Sequence, residues 1–217
     1  MIINRDFREC IDIDWEDALI VSDPPYNQNY HYNEYSDTLE QESYENLLIA
    51  AFKGRKAVII HYPEESINLL PRLLGRCQEV VSWVYPSNTR KQHRLVTWWN
   101  CKPDFTKLGQ AYKNPQDKRI AARIEQGKMA RLYDWWEINQ VKNVSKGNNP
   151  HPCPIPYELV YRLIAITSMK NDTIIDPFAG SGTIIKAAYD LERKAIGYEV
   201  DKSYAEYANE TLGVMRC

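Results

Sequence analysis

Asp176-Pro177-Phe178-Ala179-Gly180-Ser181-Gly182-Thr183, preceded by Thr173-Ile174-Ile175, is the stretch on which the fold turns. Thr173 to Ile175 reads as a short buried strand, the octapeptide as a glycine-rich turn, and Thr183 to Leu191 as a helix. Strand, glycine turn and helix form the ligand-binding unit of an open parallel sheet, where ligands sit at the carboxyl ends of strands. Glycine lets the backbone turn tightly and approach a ligand closely. Gly180 and Gly182 supply only the first half of a GxGxxG pattern, and no lysine follows Gly182, so a dinucleotide fingerprint and a phosphate-cradling loop are both disfavoured. The next strand, Ala195-Ile196-Gly197-Tyr198, ends on Glu199, 23 residues after Asp176. A carboxylate at that tip accepts hydrogen bonds from two ribose hydroxyls. Together these elements predict a site for a nucleoside whose tail is not a diphosphate. S-adenosylmethionine meets that description, with Asp176 through Thr183, Glu199 and Val200 as the cofactor-binding candidates.

Upstream, the apolar run Ala18 to Ser22 reads as a buried strand that stops at Asp23-Pro24-Pro25-Tyr26, because two prolines cannot continue a central strand. A carboxylate and a proline carbonyl side by side offer two acceptors to the two N–H groups of an exocyclic amine. The prolines stiffen that geometry by fixing φ, and Tyr26 offers a flat surface for an extruded base. Asp23, Pro24, Pro25 and Tyr26 are therefore the catalytic candidates. The intervening pattern alternates: helix over Glu42 to Phe52, strand over Lys56 to Tyr62, helix over Ser66 to Leu74 and strand over Glu79 to Tyr85. After the middle of the chain come a helix from about Pro156 to Met169, the strand Lys194 to Glu199, and a helix from Ser203 to Leu212. Apolar strands alternating with helices predict a parallel α/β sheet.

Residues 86–146 break the rhythm. They carry 13 Lys/Arg against 5 Asp/Glu, whereas residues 1–50 carry 12 acidic side chains against 2 basic, in a chain whose net charge is only −2. A basic middle segment of this kind fits either a polyanion-binding surface or a solvated polar insertion, and charge alone does not separate them; Arg90, Lys91, Arg94, Lys102, Lys107, Lys118, Arg119 and Arg123 are the candidates for phosphate contacts. A strand is expected near Leu95 to Trp99, with Trp98, Trp99, Trp135 and Trp136 as packing residues, and the polar stretch Tyr30 to Gln41 is expected to be mobile until it closes over a ligand. Five cysteines, none in CxxC spacing, disfavour a disulfide framework or a zinc site and fit a reducing cytoplasm. Cys10, Cys77, Cys101, Cys153 and Cys217 all read as isolated thiols. No apolar run reaches the length of a membrane span, and no metal is expected.

In chain order, DPPYN at 23–27, HPCPIP at 151–156 and DPFAGSGT at 176–183 resemble the β class of amino-group DNA methyltransferases, the DNA adenine-N6 and cytosine-N4 family. The resemblance covers most of the chain apart from roughly residues 100–148. It implies a Rossmann-like fold dependent on S-adenosylmethionine, with a mostly parallel sheet, one antiparallel strand and a circularly permuted motif order. Residues 1–85 would form the catalytic half, 86–150 a basic target-recognition insertion and 151–217 the cofactor-binding half. Carried over residue by residue, Asp23, Pro24 and Tyr26 hold the target base, Phe178 to Gly182 line the cofactor and Glu199 holds its ribose. Asp6-Phe7 falls where the cofactor's adenine is contacted, and His151-Pro152 opens the segment that closes over its methionine end.

That segment departs from the family pattern, which continues Thr-Gln-Lys-Pro. Here it runs Cys153-Pro154-Ile155-Pro156, without the lysine. The implied substrate is double-stranded DNA with the target base flipped out, in a restriction-modification setting, and a homodimer is compatible. Asp at the head of the catalytic segment points to N6 of adenine, since cytosine-N4 relatives more often begin with Ser. Cytosine-N4 methylation, RNA or protein-amide methylation, and a non-catalytic DNA-binding subunit stay open at this point.

Overall fold

The structure, a computed structural model, describes residues 1–10, 15–30, 32–33, 35–141 and 151–214. Residues 142–150, the end of the basic segment, lie outside the described residues. In chain order the strands are β1 (Ile2–Asn4), β2 (Leu19–Ser22), β3 (Lys56–His61), β4 (Cys77–Val84), β5 (His93–Trp99), β6 (Gly109–Gln110), β7 (Ala130–Arg131), β8 (Trp135–Glu137), β9 (Thr173–Asp176) and β10 (Lys194–Glu199). The helices are α1 (Gln41–Phe52), α2 (Pro63–Asn68), α3 (Leu70–Leu74), α4 (Lys118–Glu125), α5 (Tyr157–Thr167), α6 (Thr183–Asp190) and α7 (Lys202–Val214). Among the described residues, no helix is long and apolar enough to cross a membrane.

Eight strands form one sheet in the order β1-β10-β9-β2-β3-β5-β4-β8. Neighbours pair in parallel except where β5 lies between β3 and β4, antiparallel to both, so one strand runs against the rest. The two-stranded β6–β7 ladder is separate. The central strands are buried on both faces: every residue of β2 is buried, as is every residue of β3 after Lys56. That is why they read as unbroken apolar runs. Val21, Val58, Ile60, Val96 and Trp98 pack with α5, α6 and α7 on one face, while Ile20, Ala57, Ile59 and Trp99 pack with α1 and α3 on the other.

The helix read over Ser66 to Leu74 is two short helices, broken at Leu69, with Pro71 near the start of the second. The segment from residue 86 is not a module apart from the sheet. β5 is an interior strand, and β8 extends the edge beside β4. Trp98, Trp99 and Trp136 are buried as expected, but Trp135 is 41% exposed, because adjacent strand residues point to opposite faces.

The chain leaves β2 toward β3 and leaves β9 toward β10, in opposite directions along the sheet. A crevice therefore opens between the carboxyl ends of these two neighbours, the position where open α/β sheets bind ligands. Both Asp-Pro segments begin there.

Candidate active site

The two segments are joined at their roots. The Ser22 hydroxyl donates to Asp176 Oδ1 at 2.7 Å, and the Phe178 N–H donates to the same oxygen at 3.1 Å. Both Ser22 and Asp176 are buried, and burial pushes the Asp176 carboxyl up to about 7. Asp176, read from sequence as a cofactor contact, thus ties the β2 loop to the β9 loop, although it also borders the smaller of the two cavities described next.

A cavity of about 730 Å³, open mouth included, lies over the β9–β10 side. Of the sequence candidates, Asp6, Phe7, Asp23, Pro25, His151, Pro177, Phe178, Glu199 and Val200 line it. The Phe7 and Phe178 rings meet edge-on at 5.3 Å. Glu199 accepts the Gly180 N–H at 2.8 Å on Oε2 and the Asp201 N–H at 2.8 Å on Oε1. Each oxygen keeps a second lone pair for a ligand hydroxyl. Burial raises the Glu199 carboxyl and these backbone donors hold it down, with a net upward shift.

A second cavity of about 300 Å³ adjoins the first through Asp23, His151 and Phe178, and is lined further by Cys153, Pro154, Ile155, Ala179, Ser181 and Thr183. Gly180 (φ +50°) lies directly under His151, whose Nε2 would stand 2.8 Å from an added Cβ. Gly182, at φ +78°, starts α6 against Ile2 and Ala208. Both positions demand glycine. Burial pushes the His151 imidazole down to about 4. Pro152 is half-buried beside it. Ile155 forms the wall where the family pattern carries lysine, so that wall is apolar.

These features fit S-adenosylmethionine. A tip carboxylate with two open lone pairs suits a ribose, an aromatic edge pair suits a purine, and Ser181 and Thr183 hydroxyls at the start of α6 suit a carboxylate. Sequence reading missed Arg8, Tyr32, Tyr35, Asp201 and Tyr204 in the larger cavity. For Tyr32 and Tyr35 the sequence signal was the tyrosine-rich polar stretch after the catalytic segment; Arg8, Asp201 and Tyr204 had none. The start of that stretch is tied to the catalytic segment: buried Asp37 accepts the N–H groups of Asn27, Gln28 and Tyr30 at 2.8–3.0 Å. Asn27 and the Leu39 backbone also exchange two hydrogen bonds.

Asp23 stands where the cavities meet. Tyr26 donates its hydroxyl to Asp23 Oδ1, and the Tyr26 ring stacks on buried His61 at 4.3 Å. His61 Nδ1 accepts the Tyr62 N–H at 2.8 Å, so Nε2 carries the hydrogen toward Tyr44, whose hydroxyl in turn donates to the Pro25 carbonyl at 3.0 Å. Burial holds His61 down to about 3, which keeps it neutral in this relay. Pro24 is buried.

The expected phosphate contacts divide. Arg90, Lys118, Arg119 and Arg123 are exposed, and none of the residues of α4 is buried. Lys91 reaches Glu64 at 3.4 Å and lies over the Tyr62 ring at 4.1 Å. Arg94 corrects its sequence reading: its side chain is only 15% exposed and points inward beside Asp23, 3.8 Å away. Lys102 and Lys107, both exposed, lie apart from these. Because β5 runs antiparallel, its end at Trp99 pairs with the start of β3, which places the residues after it at the far end of the sheet from Asp23. There the Lys107 ammonium donates to the Ser168 carbonyl at 3.0 Å.

Residues 18–210 match the family described as DNA methylase, of the N6/N4 type. The chain belongs to the N6/N4 DNA methylase family. This methylase is 28% identical over 89% of its length to the type II methyltransferase M.HpaI of Haemophilus parainfluenzae. It spans 67% of M.HpaI's length and smaller shares of other curated relatives. Its fold is that of an M1.HpyAVI–SAM complex (TM-score 0.62, 20% identity, covering 97% of this chain and 98% of that one). It also matches the cytosine-N4-specific PvuII DNA methyltransferase (TM-score 0.64, 18% identity, 96% and 84% covered). The methylase therefore has the expected S-adenosylmethionine-dependent methyltransferase architecture, with one antiparallel strand in a parallel sheet.

Proposed function

We propose that the protein transfers a methyl group from S-adenosylmethionine to the exocyclic amino nitrogen of a flipped DNA base, with N6 of adenine as the target. The observation that carries this reading is the position of Asp23, on the shared wall of the two cavities at the end of β2. When bound, the cofactor supplies an electrophilic methyl group on a sulfonium. Glu199 holds the ribose, Phe7 and Phe178 flank the adenine, and Ser181 and Thr183 receive the methionine end. The Asp23 carboxylate and the Pro24 carbonyl accept the two N–H groups of the target amine, directing its lone pair toward the methyl group. The amine gains the methyl and loses one proton, which Asp23 accepts or relays to water. Aromatic rings around Tyr26 provide stacking surface for the extruded base. Arg90 and Lys91, with the exposed cations of α4, take DNA phosphates.

The aspartate at the head of the segment favours adenine. Likeness to the PvuII enzyme keeps cytosine-N4 as the second reading. The test is incubation with unmethylated DNA and labelled S-adenosylmethionine, followed by mass analysis of the nucleosides. N6-methyladenine is expected. N4-methylcytosine without N6-methyladenine would replace the target base, and methylation of RNA but not DNA would overturn the substrate class.

A further inference from the structure

Arg94 is the buried charge that the reading above leaves unused. Its guanidinium carbon lies 5.0 Å from the ring centre of Tyr26, 5.3 Å from Trp83, 5.4 Å from Tyr62 and 5.9 Å from Tyr85. The Tyr85 phenol interacts with it electrostatically, while Nε is buried with no hydrogen-bond partner. A guanidinium withdrawn from water into an aromatic chamber is costly unless something there needs its charge. Among the described residues acting on Arg94, Asp23 is the one carboxylate, 3.8 Å from Nη1. Asp23 has the complementary difficulty: it is largely buried, and its Oδ1 is occupied by Tyr26.

We propose that Arg94 is a positioning residue that keeps the Asp23 carboxylate an open, charged acceptor for the target amine. The inference rests on the proposed amine methylation, but its physical content does not. At 3.8 Å a cation stabilises a carboxylate without saturating it, because the separation is too long for a direct hydrogen bond and leaves the Oδ2 lone pairs available. A protonated Asp23 would present a donor to a donor and could not take up a proton. Around Asp23 the titratable groups include Asp176 from β9, the phenols of Tyr26, Tyr32, Tyr44 and Tyr85, the Cys153 thiol, and the His151 imidazole, which burial keeps neutral. None of them is a cation, so Arg94 is the one positive charge in this set, and it is the larger of the two influences, with the Tyr26 hydrogen bond, that offset the burial pushing Asp23 upward.

Two measurements on the full chain test this. In the first, the Asp23 side-chain carboxyl is followed by carbon-13 NMR through a pH titration, its resonance identified by its loss in Asp23→Asn. Arg94→Met is expected to raise the Asp23 midpoint by about one pH unit or more, and Arg94→Lys to raise it less. An unmoved midpoint overturns the proposal. Should Arg94→Met fail to fold by circular dichroism, Arg94→Gln serves in its place. In the second, the acid limb of the kcat profile for DNA methylation is expected to move upward in the neutral variants, so that raising the pH recovers part of the loss. An equal loss at every pH also overturns it. A parent that does not methylate DNA refutes the proposed function, and the carboxyl titration still decides the role of Arg94.

Discussion

Asp23 and Asp176 each open an Asp-Pro segment at the carboxyl end of a parallel strand, on neighbouring strands, yet their surroundings make them different groups. Asp176 is buried under the turn and accepts from Ser22 and Phe178 on one oxygen, and the charged neighbours acting on it among the described residues are carboxylates. Asp23 reaches both cavities and faces the Arg94 guanidinium. The same dipeptide in the same topological place serves as an internal tie in one loop and as a reactive acceptor in the other. What separates them is the charge and solvent that their neighbours supply.

That contrast can be broken or sharpened by substitution. Glu199→Ala removes the acceptor at the β10 tip together with the anchor of the Gly180 and Asp201 N–H groups. S-adenosylmethionine affinity, read by calorimetry, is expected to fall by about tenfold to a hundredfold. Unchanged affinity would place the ribose elsewhere.

Asp176→Asn should show itself in stability and hardly in cofactor binding. The carboxyl titrates near 7 in the folded chain, above its unfolded value of 3.8. The folded state therefore holds the proton more tightly, and this group's contribution to stability is complete below about 4 and lost as pH rises through 7. The parent's melting temperature should carry that decline between about pH 4 and pH 7 and level off above it, and Asp176→Asn should flatten it. A decline that survives the substitution would assign it to other groups.

The smallest effect is expected on DNA affinity. Arg90→Ala with Lys91→Ala should reduce the salt dependence of binding by a slope of up to about 2, while Lys102→Ala with Lys107→Ala, at the far end of the sheet, should leave it alone. The reverse result would put DNA on the other edge.

Much of this architecture was legible in the chain because the central strands are buried on both sides. Ile20, Val21, Val58 to Ile60, Ile174 and Ile175 leave no polar alternation to confuse with a helix. The short edge strands were not legible: Ile2–Asn4 and Trp135–Glu137 have three residues each and acquire their identity from β10 and β4. Arg94 was misread for a similar reason. Its local company is basic and polar, and only strand alternation, which places it on the face of Val96 and Trp98, marks it as inward-facing. The ties made by Asp37, Asn27 and His61 depend on tertiary neighbours and have no local signature.

The central claim is that Asp23 performs the transfer and does not hold the cofactor. It is tested by measuring S-adenosylmethionine binding and methyl transfer to DNA side by side for the parent and Asp23→Ala. The account predicts binding within a few-fold of the parent and transfer lowered by at least about a hundredfold, a loss of roughly 3 kcal/mol of transition-state stabilisation. Transfer that persists near the parental rate, or transfer and binding lost together in a folded variant, would contradict it.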